Sequence, residues 1–288
     1  MKILRTGVLL ILLSVLLVVA GGAIGGQTGL KIALAMAVLI NGVSYFFSDK
    51  IALASSGAQR VSREQVPRLY EVMERLAAKA GLPMPKLYVI PEAAPNAFAT
   101  GRNPQHASVA VTQGLLELMN DDELEGVIAH ELSRVRNYDI LTSSIAATIA
   151  GAITYLASVA RWGMIFGGYG RDRDDDRGGG GIAALLMIFL APIAAMMLQL
   201  FLSRTREYSA DETGARMVGQ PYGLISALQK LGAFNQRIPT TSLSPSTSAL
   251  CIVKPMFGGG TFSSLFSTHP PLEKRIQALR EMTVAPQR

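Results

Sequence analysis

The chain has 288 residues, of which 49% are hydrophobic and 17% charged, and a formal net charge of +6. A mean hydropathy of +0.31 favours one domain interleaved with membrane segments over two soluble domains. The basic balance does not point to nucleic acid, because the lysines and arginines collect beside apolar stretches, no DNA- or RNA-binding motif accompanies them, and anionic lipid headgroups account for the excess.

Two apolar stretches open the chain, Thr6 to Ile24 and Leu30 to Phe47, joined by Gly25-Gly26-Gln27-Thr28-Gly29. The second is uncharged after Lys31 and long enough for a hydrocarbon core of roughly 30 Å, so the pair predicts a helical hairpin in a membrane. A cleaved signal peptide is the competing reading of the first stretch, with Lys2 and Arg5 ahead of an apolar core.

Ser62-Arg63-Glu64-Gln65 has the form of a capping box, and Val66, Leu69, Val72, Met73, Leu76 and Ala77 follow at helical spacing as far as Gly81. Beyond Pro83 and Pro85, Lys86–Ile90 reads as a short strand. Asn96–Thr100 and Ala107–Thr112 read as two strands across the turn Gly101-Arg102-Asn103-Pro104. An exposed strand edge there would hold an extended polypeptide by main-chain pairing; the plainer reading is a hairpin that only completes a small sheet. His106, just ahead of the second strand, reads as structural.

Asn120-Asp121-Asp122-Glu123 caps the next helix, whose apolar stripe is Leu124, Val127, Ile128 and Leu132. On it lies His130-Glu131-Leu132-Ser133-Arg134. In an intact His-Glu-x-x-His motif the two imidazoles one turn apart hold Zn²⁺ and the glutamate activates water. Here the second ligand position carries Arg134, whose guanidinium has no lone pair and brings positive charge toward a dication. With no strong breaker in Asn137-Tyr138-Asp139, the helix is expected to run on into the apolar segment Ile140 to Tyr155, which extends weakly to Gly170.

Ile182 to Phe201 is a fourth apolar segment, uncharged throughout. It is separated from the third by Arg171-Asp172-Arg173-Asp174-Asp175-Asp176-Arg177, which is nearly balanced in charge. Both segments are rich in small residues that suit helix packing in lipid, although the third also fits a buried helix of a soluble core. Lys2, Arg5, Lys50, Arg60, Arg63, Arg204 and Arg206 then lie on one side of these spans, which the positive-inside rule makes the cytoplasm. The single Cys251 suits that reducing compartment. After the fourth segment, Glu207 and Asp211 stand one turn apart, where a carboxylate from a second helix would be the third ligand of a two-histidine zinc site; an ordinary surface charge cluster has the same spacing.

Several motifs in the same order resemble the HtpX membrane zinc metalloproteases of bacteria. They are the paired N-terminal spans, Asn96–Pro104, His130–Ser133 with Asn137 and Asp139, Arg206-Glu207-Tyr208 with Ala210-Asp211, and Thr268-His269-Pro270-Pro271-Leu272 with Arg275. The resemblance implies a mainly α chain with a small β-sheet (α+β), multi-pass in the bacterial inner membrane, with a zincin-like (gluzincin) catalytic domain in the cytoplasm.

It divides the chain into 1–49 (two spans), 50–139 (first catalytic part), 140–201 (two further membrane segments around a polar loop, 171–181) and 202–288 (second catalytic part). It implies His130 and Glu207 as zinc ligands, Glu131 as the general base and Asp211 as the residue behind a ligand. His269, with Arg275 assisting, would donate to the oxyanion of the tetrahedral intermediate; its plainer reading is a helix cap.

The implied activity is endopeptidase cleavage of misfolded or damaged membrane proteins with one Zn²⁺ per chain, within envelope quality control and stress response, in the company of other membrane proteases. Family members carry histidine where this chain has Arg134, so zinc binding is expected to weaken and peptidase activity to be lost or strongly impaired. The competing functions are a non-catalytic membrane protein that binds unfolded polypeptide or partner proteases, and, more weakly, a transporter, which would place ionisable residues within its spans.

Overall fold

A computed structural model describes residues 2–147, 204–235, 250–255 and 270–282, with 237, 240, 243 and 247 between them. The chain begins with α1, Lys2–Ser55, interrupted at Gly26, whose backbone (φ 55, ψ −139) leaves the helical region. Asn41 Nδ2 donates to Ser14 Oγ at 2.7 Å across 27 residues of sequence. A straight helix would separate those residues by about 40 Å, so the two halves fold back on each other at Gly26. Gly26–Ser55 is the one helix among the described residues that is long and apolar enough to cross a membrane, and Ile32, Val38, Leu39 and Phe46 on it are exposed. The apolar runs beyond residue 147, together with the polar loop 171–181, lie outside the described residues.

Beyond α1 the fold is built on a four-stranded mixed sheet: β1 (Gln59–Arg60), β2 (Lys86–Ile90), β3 (Ala97–Gly101) and β4 (Ala107–Thr112), in the order β1-β2-β4-β3. β2 and β4 are parallel, with Leu87 opposite Val109; β3 runs antiparallel to β4, with Phe98 opposite Ala110. Helix α2 (Pro67–Ala80) starts later than its capping residues suggest. Gln65 still accepts from the Ser62 amide at 2.8 Å, but Pro67 is favoured at the first helical position and sets the start there. Gly81, at φ 65, ends α2 in the left-handed conformation.

After α3 (Gln113–Leu118), α4 (Asp121–Arg136) is nearly enclosed, because α2, β3, α6 (Arg204–Val218) and α7 (Tyr222–Asn235) all pack on it. Leu124, Val127, Ile128, Leu132 and Val135 are fully buried, each stabilising the fold by about 1.5–3 kcal/mol in transfer terms. Its start is a complete capping box: Asn120 Oδ1 accepts from the Glu123 amide at 3.0 Å, and Glu123 accepts from the Asn120 amide at 2.9 Å. Two glycines permit the crossings. A β-carbon on Gly126 would lie 2.5 Å from the Leu224 nitrogen, and one on Gly214 would lie 3.0 Å from the His130 nitrogen.

Contrary to the sequence-based expectation, α4 does not continue into the third apolar segment. Asn137 caps it, Tyr138 takes a left-handed φ of 59, and a separate helix, α5 (139–147), begins. The reversal costs about 1–2 kcal/mol for a side-chain-bearing residue. It turns the chain so that Asp139 faces Arg206 at 3.7 Å, joining the start of α5 to α6. The C-terminal helix α8 (Leu272–Glu281) packs on α6 and α7.

Candidate active site at the meeting of α4, α6 and α8

His130 lies on the buried side of α4, and the close approach at Gly214 brings α6 against it, so residues distant in sequence converge on one imidazole. Asp211 Oδ1 lies 2.8 Å from His130 Nδ1. Glu207 Oε2 lies 3.7 Å from His130 Nε2. With Nδ1 held by the carboxylate, Nε2 is the nitrogen directed toward Glu207.

Asp211 is itself clamped from α8. Arg275 donates from Nε to Oδ2 at 2.8 Å and from Nη2 to Oδ1 at 2.7 Å, a bidentate pair with both partners buried. Burial alone would raise the Asp211 pKa, but the Arg275 charge, its hydrogen bonds and the His130 contact outweigh burial and hold the carboxyl below its ordinary range. Arg275 also donates from Nη1 to the Ile252 carbonyl at 2.7 Å and lies 3.4 Å from Glu207. It is fully enclosed, and its contacts hold Asp211, Glu207 and the Ile252 carbonyl together.

Arg134 lies on α4 one turn beyond His130 and is buried. Its Nη1 donates to the Leu250 carbonyl and lies 3.4 Å from Glu131 Oε2, and its Nη2 reaches Ser143 Oγ on α5 at 3.4 Å. Glu131, three residues earlier on α4, is thus its carboxylate partner within the helix. Burial works against the guanidinium charge, but Glu131, Glu207 and Asp139 raise its pKa further above the ordinary arginine value.

Two buried polar atoms at this centre, His130 Nε2 and Glu131 Oε1, have no hydrogen-bond partner among the described residues. Such atoms are costly unless something else serves them. His130 Nε2 and Glu207 Oε2 are separated by 3.7 Å, near the roughly 3.4 Å subtended by two ligands of a tetrahedral zinc. A catalytic zinc needs a third protein donor, and the residue one turn beyond His130 on α4 is the cationic Arg134. Among the described residues no three His, Cys, Asp or Glu side chains are grouped to hold one metal ion. Among the described residues, His130 and Glu207 are therefore without a third donor for a three-ligand zinc.

His269 lies outside the described residues. His106 is exposed, and its ring Nδ1 lies 2.7 Å from Asn103 Oδ1 in the turn before β4, in keeping with a structural role. Sequence reasoning assigned nothing to the Leu250 carbonyl or to Ser143, the two groups on which Arg134 rests beside Glu131. A main-chain acceptor on an irregular segment leaves no mark in a side-chain pattern.

The chain that carries His130, Glu131, Glu207 and Asp211 belongs to peptidase family M48, whose sequence profile matches residues 63–283. Its relatives within that family are HtpX proteases. It is 53% identical to the Protease HtpX homolog of Desulfatibacillum aliphaticivorans over 275 residues, covering 96% of this chain and 88% of that protein. The homolog of Syntrophobacter fumaroxidans is 51% identical over 278 residues, covering 96% and 98%. That of Pyrococcus furiosus is 50% identical over 280 residues, covering 97% and 96%. Among solved structures, Ste24p of S. mikatae shares the fold with a TM-score of 0.51 at 20% identity, over 86% of this chain and 57% of Ste24p.

Proposed function

We propose that this chain is a membrane-anchored protease scaffold of the HtpX type whose peptidase activity is abolished or strongly impaired by Arg134. The observation that carries the reading is the buried guanidinium, which rests on the Leu250 carbonyl and Glu131 where a third metal donor would stand. The family resemblance assigns zinc to His130, Glu207 and a histidine, with Glu131 as base. Here the chain's own groups do less: Asp211 orients His130, Arg275 fixes Asp211, and Glu131 is drawn toward a cation that neutralises it.

The rest of the reading follows the family. The catalytic part faces the cytoplasm, the apolar segments anchor the chain in a bacterial inner membrane as a multi-pass protein, and the natural substrates of an intact copy are misfolded or damaged membrane proteins. The charge distribution beside the apolar stretches supports the orientation.

The test is hydrolysis of an unfolded protein such as casein by the full chain in detergent, beside an Arg134→His variant. Restored histidine is expected to bring chelator-sensitive cleavage that the parent lacks. Cleavage by neither would remove the protease reading, and chelator-sensitive cleavage by both at equal rates would remove the account of Arg134.

A further inference from the structure

Leu250–Val253 is an irregular segment, yet all four residues are buried, and its main chain is bound to the site and to the sheet. We propose that Arg134 is a tether: from the place of the missing ligand it fixes this segment along the outer edge of β3, so that the chain itself closes the strand edge to which a polypeptide would pair. Only the last clause, on what the edge would otherwise receive, rests on the peptidase reading; the tether stands on its contacts.

Along an antiparallel strand successive residues turn their main-chain groups to alternate sides. The Thr112 amide donates to the Asn96 carbonyl at 2.9 Å on the β4 side, so Ala97 presents its groups outward. Both are engaged. The Ile252 amide donates to the Ala97 carbonyl at 2.9 Å, and the Ala97 amide donates to Asn96 Oδ1 at 3.0 Å. Asn96 Nδ2 then donates to the Val253 carbonyl at 2.8 Å. β3 is buried along its whole length, so the exposed edge considered from the sequence is not exposed.

Two arginines pin the segment from below. Arg275 holds the Ile252 carbonyl and Arg134 the Leu250 carbonyl, two residues apart. Arg275 serves this purpose whatever stands at position 134. The second pin exists only because residue 134 is an arginine, and the same fork touches Glu131 on α4 and Ser143 on α5. A histidine directed at a metal beside His130 would leave the Leu250 carbonyl without this donor. A guanidinium stays charged across the accessible pH range, so the tether needs neither metal nor protonation.

Hydrogen–deuterium exchange on the full chain in detergent, followed in peptides covering Leu250–Val253, tests it. Exchange in the parent should be slow and unchanged by chelator. Arg134→Met should speed it about tenfold or more while the amides of Val127 and Leu132 in α4 keep the parent rate. Arg134→Lys, which keeps the charge but not the planar fork, should fall between, and it decides the matter alone if the Met variant does not fold. The proposal is overturned if the variants exchange at the parent rate in this segment, or faster only in step with α4, or if chelator speeds the parent. Failure of Arg134→His to cleave casein would sink the protease reading and leave these exchange rates untouched.

Discussion

At Arg275, one side chain decides whether a buried carboxylate is tolerated. Asp211 is nearly inaccessible and ionised, and its compensation is the two-pronged contact from Arg275 together with His130. Removing one partner of a buried pair leaves an uncompensated charge, at a cost of about 3–5 kcal/mol. Against a total stability of about 5–15 kcal/mol this is a large fraction, so Arg275→Met should lower the thermal midpoint sharply or prevent folding. Arg275→Lys should be less severe because the charge remains and only the fork is lost. A Met variant that melts with the parent would contradict the clamp. Cys251 is inert by the same logic: burial pushes its thiol well above the ordinary range, so a maleimide should label it only after denaturation.

At the scale of elements, α4 carries the site, and its N-terminus is where its stability can be measured without touching chemistry. Glu123 closes the capping box and also accepts from Ser226 at 2.6 Å and Lys230 at 2.7 Å on α7. Burial would raise its pKa, but Lys230, Ser226 and the Asn120 amide prevail and lower it from the ordinary 4.5. A depressed folded-state pKa gives stability that is fully present above the unfolded value and is lost as pH falls through the folded one. Glu123→Gln should therefore cost about 1–2 kcal/mol at neutral pH. The gap between its melting temperature and the parent's should close as pH falls below the ordinary carboxylate range. A gap that widens on acidification would reverse the sign of this argument.

What could be read from the sequence follows from the same physics. The bounds of β2 and β4 and the start of α4 were marked by prolines, by apolar runs and by Asn120 with Glu123, all local signals. The convergence of Glu207 and Asp211 on His130 could be suggested by their spacing on one helix face, because a carboxylate one turn from another points the same way. The break after Arg136 was hidden, because Tyr138 in the left-handed region carries none of the glycine or proline signature of a turn. Equally hidden was the seat of Arg134. Its nearest acceptor is a main-chain carbonyl 116 residues away, and only the tertiary fold brings the two together.

For the whole molecule, the N-terminal hairpin and the basic residues that flank the apolar stretches set the expected topology. By the positive-inside rule, residues 50–139 are expected in the cytoplasm and the turn around Gly26 on the opposite side. Because Cys251 is buried, a single introduced cysteine reports cleanly. Gln27→Cys should react with a membrane-impermeant maleimide added outside intact spheroplasts, whereas Glu117→Cys should react only after lysis. The reverse pattern would invert the orientation.

The central claim is that Arg134 has broken a metal site whose other parts remain in place. Its most direct test is calorimetric titration of zinc into the purified, metal-stripped full chain beside the Arg134→His variant. The account predicts a stoichiometric site in the histidine variant that is lost again on Glu207→Gln, and no comparable site in the chain as written. Stoichiometric zinc binding of equal affinity by the unaltered chain would contradict it.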